Sequence, residues 1–204
     1  MMIGEEAGSN RLRGELSAVR RLDGSDVGAT TAWWVDMLAR KTGEAVWIGE
    51  LVNDEVHILH QAVRPEALAQ IVAGDGAVPW HACALGQAIV AGLDPDAQEA
   101  LLAIPAQRLT GLTVTDPQAL RQMLAVTRRR GYAVEAHAAT LGDAGIAAPV
   151  FDPSGQVVAA IGIVGPAERL LSPDRQQDLA DAVCVTAQTL SQEAGTARTA
   201  PPGA

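Results

Sequence analysis

The stretch Gly131–Leu170, GYAVEAHAATLGDAGIAAPVFDPSGQVVAAIGIVGPAERL, decides the fold of this 204-residue chain. Its runs of Val, Ile and small apolar residues are separated by Gly-rich segments, which predicts strands over Tyr132–Ala139, Ile146–Phe151 and Gln156–Val164. The DPSG between the last two strands has Asp at its first position and Gly at its fourth, a composition typical of tight turns. Strands joined by such short connections predict a mainly antiparallel sheet.

Working outward, helices and a further hairpin surround these strands. Three longer helices are predicted from a capping residue at the start and a glycine at the end, namely Ser25 or Asp26 to Gly43, Asp116–Pro117 to Gly131, and Ser172–Pro173 to Gly195. Strands Ala45–Val52 and Glu55–Ala62 flank Asn53–Asp54, which predicts a hairpin. Two shorter helices are predicted over 81–91 and 95–103. Helices segregated from antiparallel strands indicate an α+β fold.

Composition narrows the classes of function. A net charge of −9 argues against a nucleic-acid-binding surface across this chain, because phosphate contacts need Lys and Arg. Cys83 and Cys184 are far apart and lack metal-ligand spacing, so neither a disulfide nor a metal site is expected. No apolar run is long enough to cross a membrane, and the acidic start is unlike a signal peptide. The expectation is a cytoplasmic protein without metal or cofactor.

Four blocks of sequence carry a family resemblance. They are LARKTGEAVWIGEL from Leu38, PWHACALGQAIVAG from Pro79, TDPQALRQMLAVTRRRGYAVE from Thr115, and IAAPVFDPSGQVVAAIGIVGPAERL from Ile146. In this order they resemble the C-terminal, effector-binding half of the IclR family of bacterial transcription regulators. The resemblance implies a GAF-like fold over residues 23–195 and a regulator rather than an enzyme. It assigns residues 1–22 to a linker helix or arm, and composition predicts a disordered tail over 196–204.

The resemblance also implies a site for a small-molecule effector between the sheet and nearby loops. Carried over to this chain, the effector-binding residues are Cys83, Ala84, Leu85, Glu135, His137, Asp143, Gly145, Gly162 and Val164. Free N–H groups at the start of the helix after Cys83 would attract an anionic group. Family members form homodimers or homotetramers and bind DNA through a winged helix. The 22 residues before Asp23 are too few for a winged helix, so DNA binding is expected only through a domain outside this chain.

The chain departs from the family at its predicted site. Gly162 and Val164 replace small hydroxyl residues, while Ala144 and Gly145 replace the Arg and Cys that many members carry. Each lost side-chain hydrogen bond forgoes roughly 0.5–1.5 kcal/mol. We therefore expect a roomier, more apolar site that suits an aromatic or medium-sized ligand better than a small polar acid.

Other readings of the same residues stay open. Cys83 beside His81 could form a nucleophile and base on an enzyme, although a small buried cysteine is the simpler reading. Glu135 and His137 share a predicted strand face, which could instead be exposed to solvent, and with His81 they could converge on zinc. Asp143 could be a turn residue only. A stand-alone sensor or interaction module without DNA binding is the alternative to a transcription regulator.

Overall fold

The computed structural model describes residues 25–62 and 77–196, in which a six-stranded sheet carries helices on both faces. All strand pairs are antiparallel, in the order β3-β2-β1-β6-β5-β4. The strands are β1 Ala45–Val52, β2 Glu55–Ala62, β3 Ala77–Pro79, β4 Ala133–Ala136, β5 Asp143–Phe151 and β6 Val157–Pro166. The helices are α1 Ser25–Thr42, α2 Ala84–Gly92, α3 Pro95–Leu102, α4 Pro117–Arg130, α5 Ala167–Leu170 and α6 Gln176–Thr196, with a 3₁₀ turn over Trp80–Ala82.

The α+β fold with a mainly antiparallel sheet is confirmed, and local signals explain several element bounds. The predicted hairpin forms as β1 and β2. At the start of α4 the Asp116 carboxylate accepts a hydrogen bond from the backbone N–H of Ala119 at 2.7 Å, as an N-cap does. At its end Gly131 has a φ of 83°, a left-handed conformation that glycine adopts without steric cost.

Several predicted bounds were wrong; for example, β5 begins at Asp143 rather than Ile146. The strand predicted over Tyr132–Ala139 ends at Ala136, because His137 has a φ of 64° and turns the chain out of the sheet. The last helix begins at Gln176 rather than Ser172, after a turn in which the Ser172 carbonyl accepts from the N–H groups of Arg175 and Gln176. That helix also continues through Gly195 to Thr196. The prediction missed β3 and α5. The predicted arm over 1–22 and positions 197–204 of the predicted tail lie outside the described residues.

The sheet separates two apolar layers. Helices α1 and α6 cover one face, where Ile146, Ile161 and Ile163 are fully buried. Helices α2, α3 and α4 cover the other face, around Trp80 and Leu120. Within the described residues, no helix is both long and apolar enough to cross a bilayer.

A cluster of ion pairs around the buried Glu44 fixes the start of β1. The Glu44 side chain is 1% exposed and forms salt bridges with Arg169 at 2.6 Å and with Arg175 at 3.2 Å. Arg175 also donates to the carbonyl of Thr42 at the end of α1. The cluster therefore joins α1, β1, α5 and the turn before α6, next to the first residue of β1 that pairs with β6, Ala45.

Strand register places small residues side by side on the face under α2. Across β1, β6, β5 and β4, one row of paired residues is Trp47, Gly162, Ala147 and Ala133. The neighbouring row is Ala45, Val164, Gly145 and Glu135. The two rows lie two residues apart along each strand, so they face the same side of the sheet.

Candidate ligand-binding site

A cavity of about 770 Å³ lies between this patch of small residues, the start of α2 and the loops around residues 107–109 and 139–143. It is lined by eight of the nine residues predicted for the site, namely Cys83, Ala84, Leu85, Glu135, Asp143, Gly145, Gly162 and Val164. They come from four separate segments of the chain. The fold therefore brings together residues that the sequence places up to 81 positions apart.

The floor of the cavity is shaped by two glycines, Gly145 and Gly162, which have no side chain. A Cβ atom on Gly145 would lie 3.1 Å from the Cβ of Ala84, so the start of α2 packs closely over this position. A Cβ atom on Gly162 would lie 2.6 Å from both the Cβ of Ala147 and the carbonyl oxygen of Ile146. Real Cβ atoms do not approach backbone so closely, so this backbone geometry requires glycine at 162.

Cys83 caps α2 and is unsuited to nucleophilic attack. Its Sγ accepts a hydrogen bond from the N–H of Gly86 at 3.4 Å. Burial raises the pKa of the Cys83 thiol to about 12, and the thiolate is the reactive form. His81 does not serve as its base, because its Nε2 contacts the carbonyl oxygen of Gln107 at 2.8 Å. The geometry therefore supports a partly buried cysteine that caps α2 rather than a catalytic pair.

Glu135 is the most perturbed acid of the site. It stands opposite Gly145 in the sheet, and its carboxylate accepts a hydrogen bond from the N–H of Ala138 at 2.5 Å. Burial, with a smaller contribution from the nearby charge of Asp143, raises the pKa of Glu135 to about 7, although the backbone hydrogen bonds from Ala138 and Ala139 act to lower it. At neutral pH this carboxyl group is therefore divided between its two protonation states.

His137 does not lie in the cavity lining, contrary to prediction. The prediction placed it on the strand face of Glu135, but the strand ends one residue earlier and His137 has a left-handed backbone. Its Nδ1 accepts a hydrogen bond from the N–H of Gly142 at 3.0 Å, and its carbonyl oxygen accepts one from Thr110 Oγ1 at 2.7 Å. His137 thus organises the loop that borders the cavity.

Sequence reasoning missed several lining residues. The main one is Trp47, which is 8% exposed and pairs with Gly162 across β1 and β6. Its indole Nε1 is buried and has no hydrogen-bond partner among the described residues. Others are Glu55 on β2 and Gln107 and Thr140 in loops. Trp47 is the aromatic residue of the LARKTGEAVWIGEL block, and this is the one signal that could have pointed to it. Its neighbour in the sheet, Gly162, is 115 residues away, so no local pattern links the two.

Within residues 25–62 and 77–196 there is no group of three or more His, Cys, Asp or Glu side chains that could hold a metal ion. The zinc site considered for His81, Glu135 and His137 therefore does not form from these residues.

Comparison with known proteins gives a consistent result. The profile of the bacterial transcriptional regulator IclR C-terminal family matches residues 19–192. The glycerol operon regulatory protein of Streptomyces griseus is 35% identical over 196 residues, which are 94% of this chain and 76% of that protein. The crystal structure of IclR from Thermotoga maritima has a TM-score of 0.76 at 24% identity and covers 91% of this chain and 74% of that one, a likeness of fold.

A third similar protein was crystallised with an aromatic ligand. It is an IclR homolog from Microbacterium hydrocarbonoxydans complexed with 4-hydroxybenzoate, with a TM-score of 0.73 and 26% identity. The match covers 94% of this chain and 75% of that one.

Proposed function

This chain belongs to the IclR family of bacterial transcriptional regulators, and on that basis we propose that its cavity binds a small effector molecule that controls transcription. The observation that carries the proposal is the cavity of about 770 Å³, because eight of the nine residues carried over from the family line it. A volume in this range suits a small organic molecule.

The lining favours an aromatic or fairly apolar effector. The floor consists largely of Gly, Ala and Val, and the indole of Trp47 lies at one side of it. Flat apolar ligands gain most from such a surface, because they exchange water for contact with small residues and an aromatic ring. The homolog from Microbacterium hydrocarbonoxydans, complexed with 4-hydroxybenzoate, supports this choice by analogy.

Control of transcription would follow from a shift between two arrangements of a dimer or tetramer. An effector that binds one arrangement more tightly raises its population, and a winged-helix domain in the same regulator would carry the change to DNA in the cytoplasm. This chain's negative charge agrees with a sensing role rather than direct contact with DNA.

A ligand panel tests the proposal through thermal unfolding and calorimetry. The panel contains phenol, 4-hydroxybenzoate, pyruvate and glycerol, the last because a relative is named for a glycerol operon. We expect an aromatic member to bind, since a ligand at a hundred times its Kd stabilises the native state by about 2.7 kcal/mol. Micromolar binding of pyruvate with no aromatic bound would contradict the preference for aromatic ligands.

Two glycine variants test whether the ligand occupies this cavity. Gly145→Val places a branched side chain between the floor and Ala84, so ligand affinity should fall at least tenfold. Gly111→Val is the matched control, because a Cβ atom at Gly111 meets nothing within 4 Å. Equal loss in both variants, or in neither, would place the ligand elsewhere.

A further inference from the structure

We infer that the cavity selects an effector whose polar group is a protonated amine, with Glu135 and Asp143 as the two carboxylates that hold it. This inference rests on the proposed effector function and specifies the ligand chemistry of that same site. It reverses the charge expected from the sequence, where the free N–H groups at the start of α2 pointed to an anion.

Glu135 and Asp143 lie side by side on one face of the sheet. Glu135 on β4 pairs with Gly145 on β5, and Asp143 stands two residues before Gly145 on that strand. Residues two apart on a strand face the same side, so the two acids are diagonal neighbours, roughly 7 Å apart. Because an ammonium group has three N–H donors, one such group between the two carboxylates can donate to both.

No basic side chain neutralises these acids within the described lining of the cavity. Three of the lining residues are acidic, and none is Lys, Arg or His. The basic residue of the adjoining loop, Arg108, donates instead to the carbonyl oxygen of Thr113 and to Thr115 Oγ1. A ligand ammonium about 5 Å from one ionised carboxylate, at an effective dielectric constant of about 20, gains on the order of a hundredfold in affinity. The ammonium also loses hydration, which offsets part of this gain, so we expect a net gain of at least about tenfold.

The start of α2 competes only weakly for an anion, because the chain itself caps it. The Sγ atom of Cys83 accepts a hydrogen bond from the N–H of Gly86 at 3.4 Å, and the N–H of Leu85 contacts the same thiol. A helix terminus changes the affinity for an anion by only about two- to fivefold. Repulsion by the two acids therefore outweighs attraction by the helix, and an anionic ligand is disfavoured.

The rest of the cavity floor suits an apolar body attached to the amine. In the sheet order, β6 and β1 follow β5, and they place Val164, Gly162 and Trp47 in the lining beyond the two acids. Neighbouring strands are about 4.8 Å apart, so the floor from β5 to β1 measures about 10 Å. A single ring with a short amine arm fits within this distance.

Binding of an amine should release a proton from Glu135. The pKa of Glu135 is about 7 in the free protein, and a ligand ammonium favours the ionised form. We therefore expect release of about half a proton per amine bound at pH 7, and an affinity that rises with pH up to about 7 and then levels. The other titratable groups around Glu135 and the cavity are Asp143 on β5, Cys83 at the start of α2, His137 in the loop after β4 and Glu55 on β2. The Cys83 thiol stays neutral in this range, because burial raises its pKa to about 12.

The test uses isothermal titration with two matched triples of probes. The first is benzylamine, benzyl alcohol and benzoate, and the second is 3-amino-1,2-propanediol, glycerol and glycerate. In the triple that binds at pH 7.5, we expect the amine to bind at least tenfold tighter than the alcohol, and the carboxylate to bind weakest. Glu135→Gln should reduce the advantage of the amine at least fivefold and Asp143→Asn at least threefold, while the exposed control Glu168→Gln leaves it unchanged.

Proton release gives a second readout, which a merely structural role of Glu135 would not change. Titration of the amine at pH 7 in phosphate and in Tris, two buffers with different ionisation enthalpies, measures the protons released. The wild type should release about half a proton per amine bound, and Glu135→Gln should release none.

The outcomes separate this inference from the proposed function. An alcohol or carboxylate that binds as tightly as its amine, or an amine preference that survives both Glu135→Gln and Asp143→Asn, overturns the inference while leaving an effector site in place. A chain that binds no member of either triple, nor any member of the ligand panel, overturns both.

Discussion

Glu135 on β4 and Gly145 on β5 are directly opposite each other, so a half-buried carboxylate faces a position without a side chain. Val164 on β6 continues the same row. The depth of the cavity therefore comes from the register of three strands, and its charge comes from one residue of that row. Both properties can be tested separately.

Glu135 should make the stability of the folded chain depend on pH. Its pKa is about 4.5 in the unfolded chain and about 7 in the folded one, so the folded state binds the proton more tightly. Its favourable contribution is complete below pH 4.5 and is lost as the pH rises through 7, a change of up to about 3 kcal/mol. Urea unfolding at pH 5, 6, 7 and 8 measures it.

Glu135→Gln should remove this part of the pH dependence, because the amide keeps an oxygen to accept from Ala138 but does not titrate. Glu168→Gln, at an exposed position outside the cavity lining, should behave as the wild type. If the wild type and Glu135→Gln lose stability in parallel from pH 5 to pH 8, the carboxyl group is not buried as described.

Gly162→Ala should destabilise the chain strongly for its size. The added methyl group would meet the Cβ of Ala147 and the carbonyl of Ile146 at 2.6 Å, so β5 and β6 must separate locally. Overpacking of this kind costs typically 1–3 kcal/mol, and the backbone contact places the expected loss at about 2–3 kcal/mol. Chemical denaturation measures it, with Gly111→Ala as a control that adds the same methyl group in open space.

The same contact bears on the small hydroxyl residue that the family resemblance implies at position 162. A hydroxyl residue introduced by Gly162→Ser should destabilise the fold before it can contribute a hydrogen bond to a ligand. Stability equal to the wild type, together with a gain in affinity for a carboxylate probe, would show that the strands can accommodate the side chain.

The sequence was sufficient to predict those helix and strand ends that depend on a capping residue, a glycine or a turn nearby in the chain. The Asp116 cap, the left-handed Gly131 and the hairpin of β1 and β2 each depend on a few neighbouring residues, and all three were predicted. His137 was misplaced because its alternating pattern continues that of the strand, while its left-handed backbone depends on Thr110 and Gly142. Those contacts come from a loop and a turn that strand periodicity does not describe.

The site residues also divide into those that local sequence identifies and those that depend on contacts between distant segments. The family resemblance named residues of β4, β5, β6 and the start of α2, and all of them except Asp143 and Gly145 lie within one of the four blocks. Trp47 and Glu55 were missed because their place in the lining depends on which strands become neighbours in the sheet. The pairing of β1 with β6 joins residues more than a hundred positions apart, and no local signal encodes it.

Arg169→Ala should cost far more stability than an equivalent change at the surface. Arg169 pairs with Glu44, whose side chain is 1% exposed, and removing one partner of a buried pair leaves an imperfectly compensated charge. Because Arg175 still contacts Glu44 and the Arg169 side chain is 42% exposed, we expect about 2–3 kcal/mol, below the roughly 3–5 kcal/mol typical of a fully buried pair. Thermal and urea unfolding measure the loss.

Arg121→Ala is the matched control for that change. Arg121 also forms a two-point contact with a carboxylate, that of Glu99, but the two side chains are 49% and 56% exposed. Solvent screens such pairs, so little change in stability is expected. Equal losses in the two variants would mean that the Glu44 cluster contributes no more than an ordinary surface pair.

Cys83 should be a slow thiol, which separates a capping role from a catalytic one. Burial raises its pKa from 9.0 to about 12, so its thiolate fraction at pH 8 is roughly a thousandfold below that of an unperturbed thiol. Iodoacetamide labelling of Cys184→Ala, followed by mass spectrometry, should therefore be about a thousandfold slower in the folded chain than in 8 M urea. A catalytic pair with His81 would label quickly, but the His81 ring contacts the Gln107 carbonyl instead. Labelling of the folded chain as fast as in urea would contradict the raised pKa of Cys83 and its capping contact with the N–H of Gly86.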